Sequence, residues 1–317
     1  MQRWEYDRLY ALSAAAKINL RLKIVGRRED GYHLLSMLNT LIDLCDRLEL
    51  SLHKNGRNEV EVSGPEAKNF TQQGENTVLK ALRLFFEAYA IDAAASVKLE
   101  KNIPIGAGLG GGSSDAAAVL LFLTDFFHDQ YSKSSIPLEA VAAKVGSDVP
   151  YFLHGGLALV EGVGEKILEL PFSSLEKIKG VLLIPDQRIS TPKAFALYRE
   201  KHPTIPVIFD ETLAQYGVKS DSSVKNKEMS YSTLLSLCEN DLKESACQLS
   251  SQVDHAFKLF SDESGYKIFL TGSGSAMFVL SSNQAQSPLD FVKNRLREGK
   301  VNFLQIIPFN LLAKFVR

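Results

Sequence analysis

A run of glycines and hydroxyl residues at 104–115 has the clearest capacity for chemistry in this sequence. It reads Pro-Ile-Gly-Ala-Gly-Leu-Gly-Gly-Gly-Ser-Ser-Asp, follows the strand-like segment Val97–Glu100, and leads into the apolar, helix-forming stretch Ala116–Phe127. Glycines let a backbone take positive φ and approach a phosphate closely, and the first N–H groups of a helix lack internal partners. The arrangement predicts an anion-binding loop, with Ser113 and Ser114 at the N-cap end of the helix.

Other interpretations of this loop are weaker. A flexible surface turn does not usually end in a capped apolar helix. A Walker A loop ends in Gly-Lys-Ser or Gly-Lys-Thr, and no lysine follows these glycines. The spacing of Gly106, Gly108 and Gly111 matches the dinucleotide fingerprint. However, Pro104 and the hundred residues before the loop fit poorly with a first βαβ unit.

The composition describes a globular chain without a strong charge bias. The chain has 317 residues, 45% of them hydrophobic, with 36 basic and 37 acidic residues and a formal net charge of -1. The length predicts about two domains. The charge balance argues against binding nucleic acid or other polyanions in general. The longest apolar run, Ala116–Leu123, is too short to cross a bilayer.

The cysteines and the N-terminus bear on the compartment. Cys45, Cys238 and Cys247 form neither a CxxC pair nor an even set, which indicates reduced thiols in a cytosolic protein. The first residues are acidic and aromatic rather than signal-like. We therefore expect a cytoplasmic protein. We also expect a small molecule as its partner, and a monomer or weak homodimer.

Elements around the loop carry polar side chains that could act on a bound anion. Alternation over residues 14–25 predicts a strand with Lys17 and Asn19 on one face and four aliphatic residues on the other, Ile18, Leu20, Leu22 and Ile24. A turn follows that carries Tyr32 and His33, and Asp148 begins a short segment after a glycine. Each has an ordinary structural explanation as well: a solvated strand face, a lid over the core, a core histidine, a helix N-cap.

The remaining elements predict an α+β chain. In the N-terminal half we expect strands at 34–44, 47–52 and 59–62, with Asn55-Gly56 as a hairpin turn, and a helix from an Asn76 cap to about Tyr89. The C-terminal half predicts strands at 181–185, 266–270, 276–280 and 302–308, helices at 191–201, 232–249, 253–260 and 289–298, and a polar surface loop at about 216–230. Strands interleaved with pairs of helices indicate an α+β sandwich.

Taken in order, these pieces resemble the motifs of the GHMP kinases, the family that includes galactokinase, homoserine kinase and mevalonate kinase. The pieces are Lys17 with Asn19, Tyr32-His33, the loop Pro104–Ser114, Gly146-Ser-Asp148-Val-Pro150 and Leu270-Thr-Gly-Ser-Gly274. The finer detail is similar to one branch, which phosphorylates a cytidine diphosphate derivative of methylerythritol. That detail comprises Asp30-Gly-Tyr-His33, Glu161-Gly-Val-Gly-Glu165 and Thr191-Pro192 before Phe195. The resemblance runs from about Ala14 to Ile307 and is weakest over residues 203–230.

The resemblance implies a fold, a reaction and its cofactors. The fold would be α+β with two domains. Residues 1–172 would form a domain like ribosomal protein S5 domain 2, residues 173–317 a ferredoxin-like domain, and the substrate cleft would lie between them. The reaction would phosphorylate the 2-hydroxyl of the methylerythritol unit with ATP, on the non-mevalonate route to isoprenoid precursors. Mg²⁺ would be held largely by phosphate oxygens and water, with Ser113 or Ser114 as its protein contact.

The resemblance also implies roles for individual residues. Asp148 would be the general base, and Lys17 would hold it ionised and offset charge on the attacking oxygen. The substrate-binding residues would be Asn19, Tyr32, His33 and Phe195, with the two aromatic rings stacked on the cytosine and His33 at its edge. ATP would contact Asn76, Lys101, Pro104, Gly106, Gly108, Leu109, Gly110, Gly111, Gly112, Ser113 and Ser114. Gly272 and Gly274 would let a second loop close over the substrate phosphates.

Three alternatives stay open. A GHMP kinase for homoserine or mevalonate shares the ATP loop, but would not be expected to carry Asp30-Gly-Tyr-His33 together with Lys17-Ile-Asn19. A nicotinamide-dependent oxidoreductase rests on the short glycine fingerprint alone. A non-catalytic relative conflicts with the presence of both Lys17 and Asp148.

Overall fold

The structure is a computed structural model, and it describes residues 5–69, 75–170, 178–203, 231–260, 266–281 and 288–312. The helices are α1 (Thr77–Ala88), α2 (Gly111–Phe126), α3 (His128–Tyr131), α4 (Leu138–Val145), α5 (Val149–His154), α6 (Thr191–Lys201), α7 (Tyr231–Leu237), α8 (Lys243–Leu249), α9 (Ser251–Leu259) and α10 (Pro288–Glu298). The strands are β1 (Tyr10–Arg27), β2 (His33–His53), β3 (Glu59–Ser63), β4 (Ala94–Glu100), β5 (Ala158–Gly162), β6 (Lys166–Glu169), β7 (Lys179–Ile184), β8 (Glu239–Asn240), β9 (Tyr266–Leu270), β10 (Met277–Ser281) and β11 (Gln305–Leu312). None of the helices within these ranges has the length and apolar character that a bilayer crossing requires.

The N-terminal half is built on the long antiparallel pair β1 and β2. Their register runs from Tyr10 opposite Leu50 to Arg27 opposite His33. β2 also pairs with β4 and β5, while β3 extends the sheet beside β4 and β6 beside β5. α1 packs on α2, and α2 packs on β1. This packing places the start of α2 beside the strand that carries Lys17.

The C-terminal half contains a four-stranded antiparallel sheet in the order β11-β7-β10-β9. Along the chain the elements run β7, helices α6 to α9, β9, β10, α10 and β11. This is a βαββαβ path with its last strand beside its first, which is the ferredoxin-like arrangement.

Two pairings join the halves. β11 continues past β7 to pair with β2, where Leu311 lies opposite Ile42. β8 adds to β1 in parallel, where Glu239 lies opposite Arg21. The boundary predicted between residues 172 and 173 and the polar segment at 216–230 lie outside the described residues. That two-domain division stays a prediction.

The predicted hairpin at Asn55-Gly56 is wrong. β4 lies between β2 and β3, antiparallel to the first and parallel to the second. Val97 and Leu99 of β4 are buried, whereas β3 alternates between exposed and half-buried residues. The more apolar strand therefore takes the interior position and β3 forms the sheet edge. The strands predicted at 34–44 and 47–52 are one continuous strand, β2.

The prediction that β1 keeps four aliphatic residues on one face is also wrong. A register shift against β2 between Asn19 and Arg21 inserts one extra residue and reverses the alternation. The aliphatic residues therefore divide between two core clusters, Ile18 and Leu20 in one, Leu22 and Ile24 in the other.

The helix predicted over 232–249 is interrupted by β8. Asn240 Nδ2 donates to the carbonyls of Leu270 (3.1 Å) and Gly272 (2.9 Å), and its Oδ1 accepts from the Leu242 amide (2.9 Å). The bond to Leu242 is local and the other two reach the segment after β9; together with the pairing of β8 with β1 they replace the helical bonds that this stretch would otherwise make.

Candidate active site

A cavity of about 290 Å³ lies along the glycine loop at the start of α2. Ten of the eleven residues predicted to contact ATP line it, and Ser114 is the exception. The ten are Asn76, Lys101, Pro104, Gly106, Gly108, Leu109, Gly110, Gly111, Gly112 and Ser113. Thr77 and Asp115 also line the cavity and were not predicted.

The backbone of the loop has the form that the glycines predicted. Gly106, Gly108 and Gly110 have φ values of 74°, 78° and 73°. At Gly110 an added Cβ would lie 2.7 Å from Phe152 Cζ and 3.2 Å from Lys17 Cγ, so only glycine fits there. Gly110 is also the N-cap of α2, which corrects the prediction of serines at that position. The first helical amides, those of residues 111–113, are left without intrahelical partners for an anion.

Ser114 anchors the loop instead of lining the cavity. Its Oγ donates to the Ala15 carbonyl (2.7 Å), and its side chain is fully buried. Two residues after Ala15 on β1, the Lys17 amide donates to the Leu109 carbonyl (2.9 Å). Both bonds hold the glycine loop against β1, so the Ser114 hydroxyl is used within the protein.

Lys101 is committed to a buried ion cluster under the loop. Its ammonium donates to the carboxylate of Asp46 and to Asp115 Oδ2 (2.7 Å). Burial disfavours the Lys101 charge, but the two carboxylates outweigh burial and raise its pKa. Asp46 Oδ1 also accepts from the amides of Asn102 (2.5 Å) and Ile103 (2.8 Å). Lys101 lines the cavity, but its ammonium is bound to Asp46 on β2 and to Asp115 on α2.

Asn76 serves as the predicted helix cap and also lines the cavity. Its Oδ1 accepts from the Val78 amide (2.7 Å), which leaves its Nδ2 for other contacts. The neighbouring Thr77 Oγ1 donates to the Gly112 carbonyl (2.9 Å) and connects α1 to the glycine loop.

The structure brings Lys17, Asn19 and Asp148 together. Lys17 Nζ donates to Asn19 Oδ1 (2.8 Å) and lies 4.0 Å from Asp148 Oδ2. The Lys17 side chain is 7% exposed, and burial lowers its pKa while Asp148 opposes the shift. Asp148 precedes α5 at the N-cap position but makes no capping bond, and its side chain is 44% exposed. The carboxylate is therefore open to a ligand rather than used as a cap.

The second glycine loop meets the first. A Cβ at Gly108 would lie 3.5 Å from the Thr271 carbonyl and 3.8 Å from Gly272 Cα. Thr271 Oγ1 accepts from the Asn19 amide (2.9 Å) and donates to Asn19 Oδ1 (3.4 Å). Gly272 and Gly274 both have positive φ, at 59° and 85°. Thr271 therefore couples the second loop directly to the strand that carries Lys17.

An aromatic pair forms a separate part of the site. The rings of His33 and Phe195 stack with centroids 4.9 Å apart, and His33 Nε2 is buried without a hydrogen-bond partner among the described residues. Burial lowers the His33 pKa, and the charges of Arg27 and Arg199 lower it further. Tyr32, in the preceding turn, is 66% exposed.

Helix α6, which carries Phe195, is connected to the second glycine loop. A hydrogen bond of 2.7 Å joins Thr191 Oγ1, at the start of α6, to Ser273 Oγ between the two glycines. Sequence reasoning missed Ser273, Asn240 and Asp46 as supports of the site. The short motif around Ser273 could have indicated it, whereas Asn240 lay inside a predicted helix and Asp46 between two predicted strands.

Comparison with known proteins identifies the family. The family model described as the GHMP kinases N terminal domain matches residues 76–156. A protein of Polaromonas naphthalenivorans named 4-diphosphocytidyl-2-C-methyl-D-erythritol kinase is 35% identical over 272 residues, which is 85% of each chain. The chain belongs to the 4-diphosphocytidyl-2-C-methyl-D-erythritol kinase family.

Solved structures confirm the predicted α+β fold of the GHMP kinases. A crystal structure of 4-(cytidine 5'-diphospho)-2C-methyl-D-erythritol kinase matches with a TM-score of 0.68 at 28% identity, covering 95% of this chain and 99% of that one. Homoserine kinase from Cytophaga hutchinsonii matches with a TM-score of 0.66 at 16% identity, covering 99% of this chain and 98% of that one. At that identity the second likeness shows a shared fold alone.

The coupling through Thr271 can be tested with a matched pair of substitutions. Thr271→Val keeps the shape of the side chain but leaves the buried Asn19 amide without an acceptor, so it should lower the free energy of unfolding by about 1–3 kcal/mol. Thr271→Ser keeps the hydroxyl and should retain most of the stability. Urea unfolding of both variants measures the difference, and equal stability of the two would contradict the role of this hydrogen bond.

Proposed function

We propose that this protein transfers the γ-phosphoryl group of ATP to the 2-hydroxyl of 4-diphosphocytidyl-2-C-methyl-D-erythritol, on the non-mevalonate route to isoprenoid precursors. The observation that carries the proposal is the buried Lys17 side chain. Its ammonium lies 4.0 Å from the Asp148 carboxylate, and its Cγ lies against Gly110 of the phosphate loop. Phosphoryl transfer to an alcohol is promoted by a base that accepts the hydroxyl proton and by a cation that offsets the developing negative charge. Backbone N–H groups without internal partners bind the phosphates. Membership of the family supports the choice of substrate.

Asp148 is the proposed general base. Its carboxylate takes the proton of the substrate hydroxyl as the oxygen bonds to the γ-phosphorus, and the bond from that phosphorus to the leaving ADP oxygen breaks. Exposure of the Asp148 side chain leaves it accessible to a hydroxyl in the site. The absence of a capping bond means that no helix amide competes for the carboxylate oxygens.

Lys17 is the proposed electrostatic partner. Its ammonium offsets negative charge that develops on the attacking oxygen and on the phosphoryl group. The hydrogen bond to Asn19 Oδ1 fixes the direction of the Lys17 side chain. Asn19 Nδ2 in turn donates to Asn39 Oδ1 (2.6 Å), which sets the orientation of the Asn19 amide. Asn19 thus serves the proposed site by positioning Lys17 as well as by contacting substrate.

The glycine loop is the proposed binding site of the ATP phosphates. The amides of residues 111–113 and the partial positive charge at the start of α2 suit an anion there. Mg²⁺, when bound with ATP, would neutralise phosphate charge and would be held mainly by phosphate oxygens and water. Ser113 lines the cavity, and its hydroxyl is the side-chain oxygen we propose for contact with that ion or with a phosphate.

His33, Phe195 and Tyr32 form the proposed cytosine site. Because its pKa is lowered, His33 is neutral near pH 7 and offers one ring donor and one ring acceptor to the edge of the base. The unpartnered Nε2 supports this role, since buried polar atoms normally have a partner. The Phe195 ring and the exposed Tyr32 ring supply aromatic faces for stacking.

The substrate can be tested directly by ATP consumption. The protein should consume ATP with 4-diphosphocytidyl-2-C-methyl-D-erythritol and release ADP in equal amount. With homoserine or mevalonate, which lack a base for the His33 site, ATP consumption should stay at the background rate. Faster turnover with either of these alcohols would replace the proposed substrate.

Base recognition can be tested separately from phosphoryl transfer. His33→Ala should raise KM for the cytidyl substrate by about tenfold, because one hydrogen bond to the base edge is lost, while KM for ATP stays unchanged. His128→Ala, at an exposed position on α3, is the matched control and should leave both constants unchanged. An unchanged KM for the cytidyl substrate in His33→Ala would move base recognition to other residues.

A further inference from the structure

Arg188 reaches the glycine loop from the C-terminal half of the chain. It lies in the connection between β7 and α6, and its side chain is exposed. A Cβ added at Gly106 would lie 3.4 Å from Arg188 Nη1 and 3.5 Å from Arg188 Cδ. Gly106 itself lines the nucleotide cavity. The guanidinium is therefore packed beside the first positive-φ glycine of the phosphate loop.

Among the described residues, no carboxylate forms a hydrogen bond or an ion pair with Arg188. The acidic group that its charge influences is Glu66. Burial raises the Glu66 pKa, but hydrogen bonds and the Arg188 charge together lower it. The Glu66 carboxylate already accepts from Gln305 Nε2 (2.7 Å), Asn69 Nδ2 (2.9 Å) and the Ile105 amide (3.4 Å). Because these donors occupy Glu66, the guanidinium keeps its own donors for a ligand.

The chemistry of the side chain fits a phosphate group. Arginine stays charged at every physiological pH and presents a planar fork of donors that matches two phosphate oxygens. A guanidinium beside an anion-binding loop, with no carboxylate in hydrogen-bond contact among the described residues, is complementary in charge to a polyphosphate. We propose that Arg188 is a phosphate-binding residue that completes the site from the side of the ferredoxin-like sheet. This inference rests on the proposed function for one point alone, which is that a ligand with a diphosphate group binds in this cavity.

Two ligands of the proposed reaction carry a diphosphate, and separate binding measurements distinguish them. ADP stands for the nucleotide, and CDP stands for the cytidyl substrate. Isothermal titration calorimetry of the full chain with each ligand would compare the parent with Arg188→Met, Arg188→Lys and Arg57→Met. Arg57 is an exposed arginine paired with Glu59 (2.8 Å) and serves as the matched control.

Arg188→Met should weaken ADP binding by about tenfold, because a charge-assisted hydrogen bond is lost. Arg188→Lys should recover part of the affinity, since it keeps the charge but loses the fork, and Arg57→Met should bind like the parent. A loss of CDP affinity instead of ADP affinity would assign the contact to the substrate diphosphate and would support the same proposal. The side chain is exposed, so the thermal midpoint Tm of Arg188→Met should stay at the parent value.

ADP and CDP affinities in Arg188→Met that both stay within about twofold of the parent would overturn the proposal, as would a parent that binds neither ligand. Failure of the proposed function gives a different result. A parent that binds ADP in an Arg188-dependent manner, yet does not turn over the cytidyl substrate, would refute the assigned reaction and leave the phosphate contact standing.

Discussion

The site depends on a lysine that is buried before any ligand arrives. Lys17 Nζ has a neutral amide oxygen at 2.8 Å, but among the described residues its nearest carboxylate oxygen, on Asp148, is 4.0 Å away. A buried ammonium without close charge compensation is costly, and the lowered pKa of Lys17 expresses that cost. An anion that enters beside Lys17 restores the missing compensation. In the proposed reaction, Lys17 would therefore stabilise the negative charge that develops during phosphoryl transfer.

The surrounding structure holds this lysine in place from both halves of the chain. From the N-terminal half, bonds from Lys17 and Ser114 fix β1 to the glycine loop, and the cluster of Asp46, Lys101 and Asp115 secures the residues beneath it. From the C-terminal half, Thr271 holds Asn19 and Asn240 holds the loop that follows Thr271. The pairings of β8 with β1 and of β11 with β2 make these contacts possible. The site is thus assembled where the two sheets join.

Local features of the site could be predicted from sequence because their causes are local. Positive φ in the loop follows from its glycines, and the shared face of Lys17 and Asn19 follows from the two-residue period of a strand. The glycine pattern also located the cavity, although it did not reveal that Ser114 faces β1 or that Lys101 is paired with two carboxylates.

Features that depend on distant partners could not be predicted in this way. The reversal of β1 comes from a register shift against β2, and the interruption by β8 comes from carbonyls about thirty residues away in the chain. Arg188 belongs to no motif, and its position beside Gly106 becomes visible only in the folded chain. In each case the interaction joins segments that are far apart in sequence, so the sequence pattern alone does not reveal it.

A double-mutant cycle on kcat tests whether Lys17 and Asp148 act as one unit in the proposed reaction. Asp148→Asn, Lys17→Met and the double variant would be assayed with ATP and the cytidyl substrate, with ADP binding as the control for folding. Each single change should lower kcat by roughly 10²-fold or more, and the double variant should lose little beyond the worse single variant. An Asp148→Asn variant with kcat within a few-fold of the parent, or losses that multiply in the double variant, would contradict this expectation.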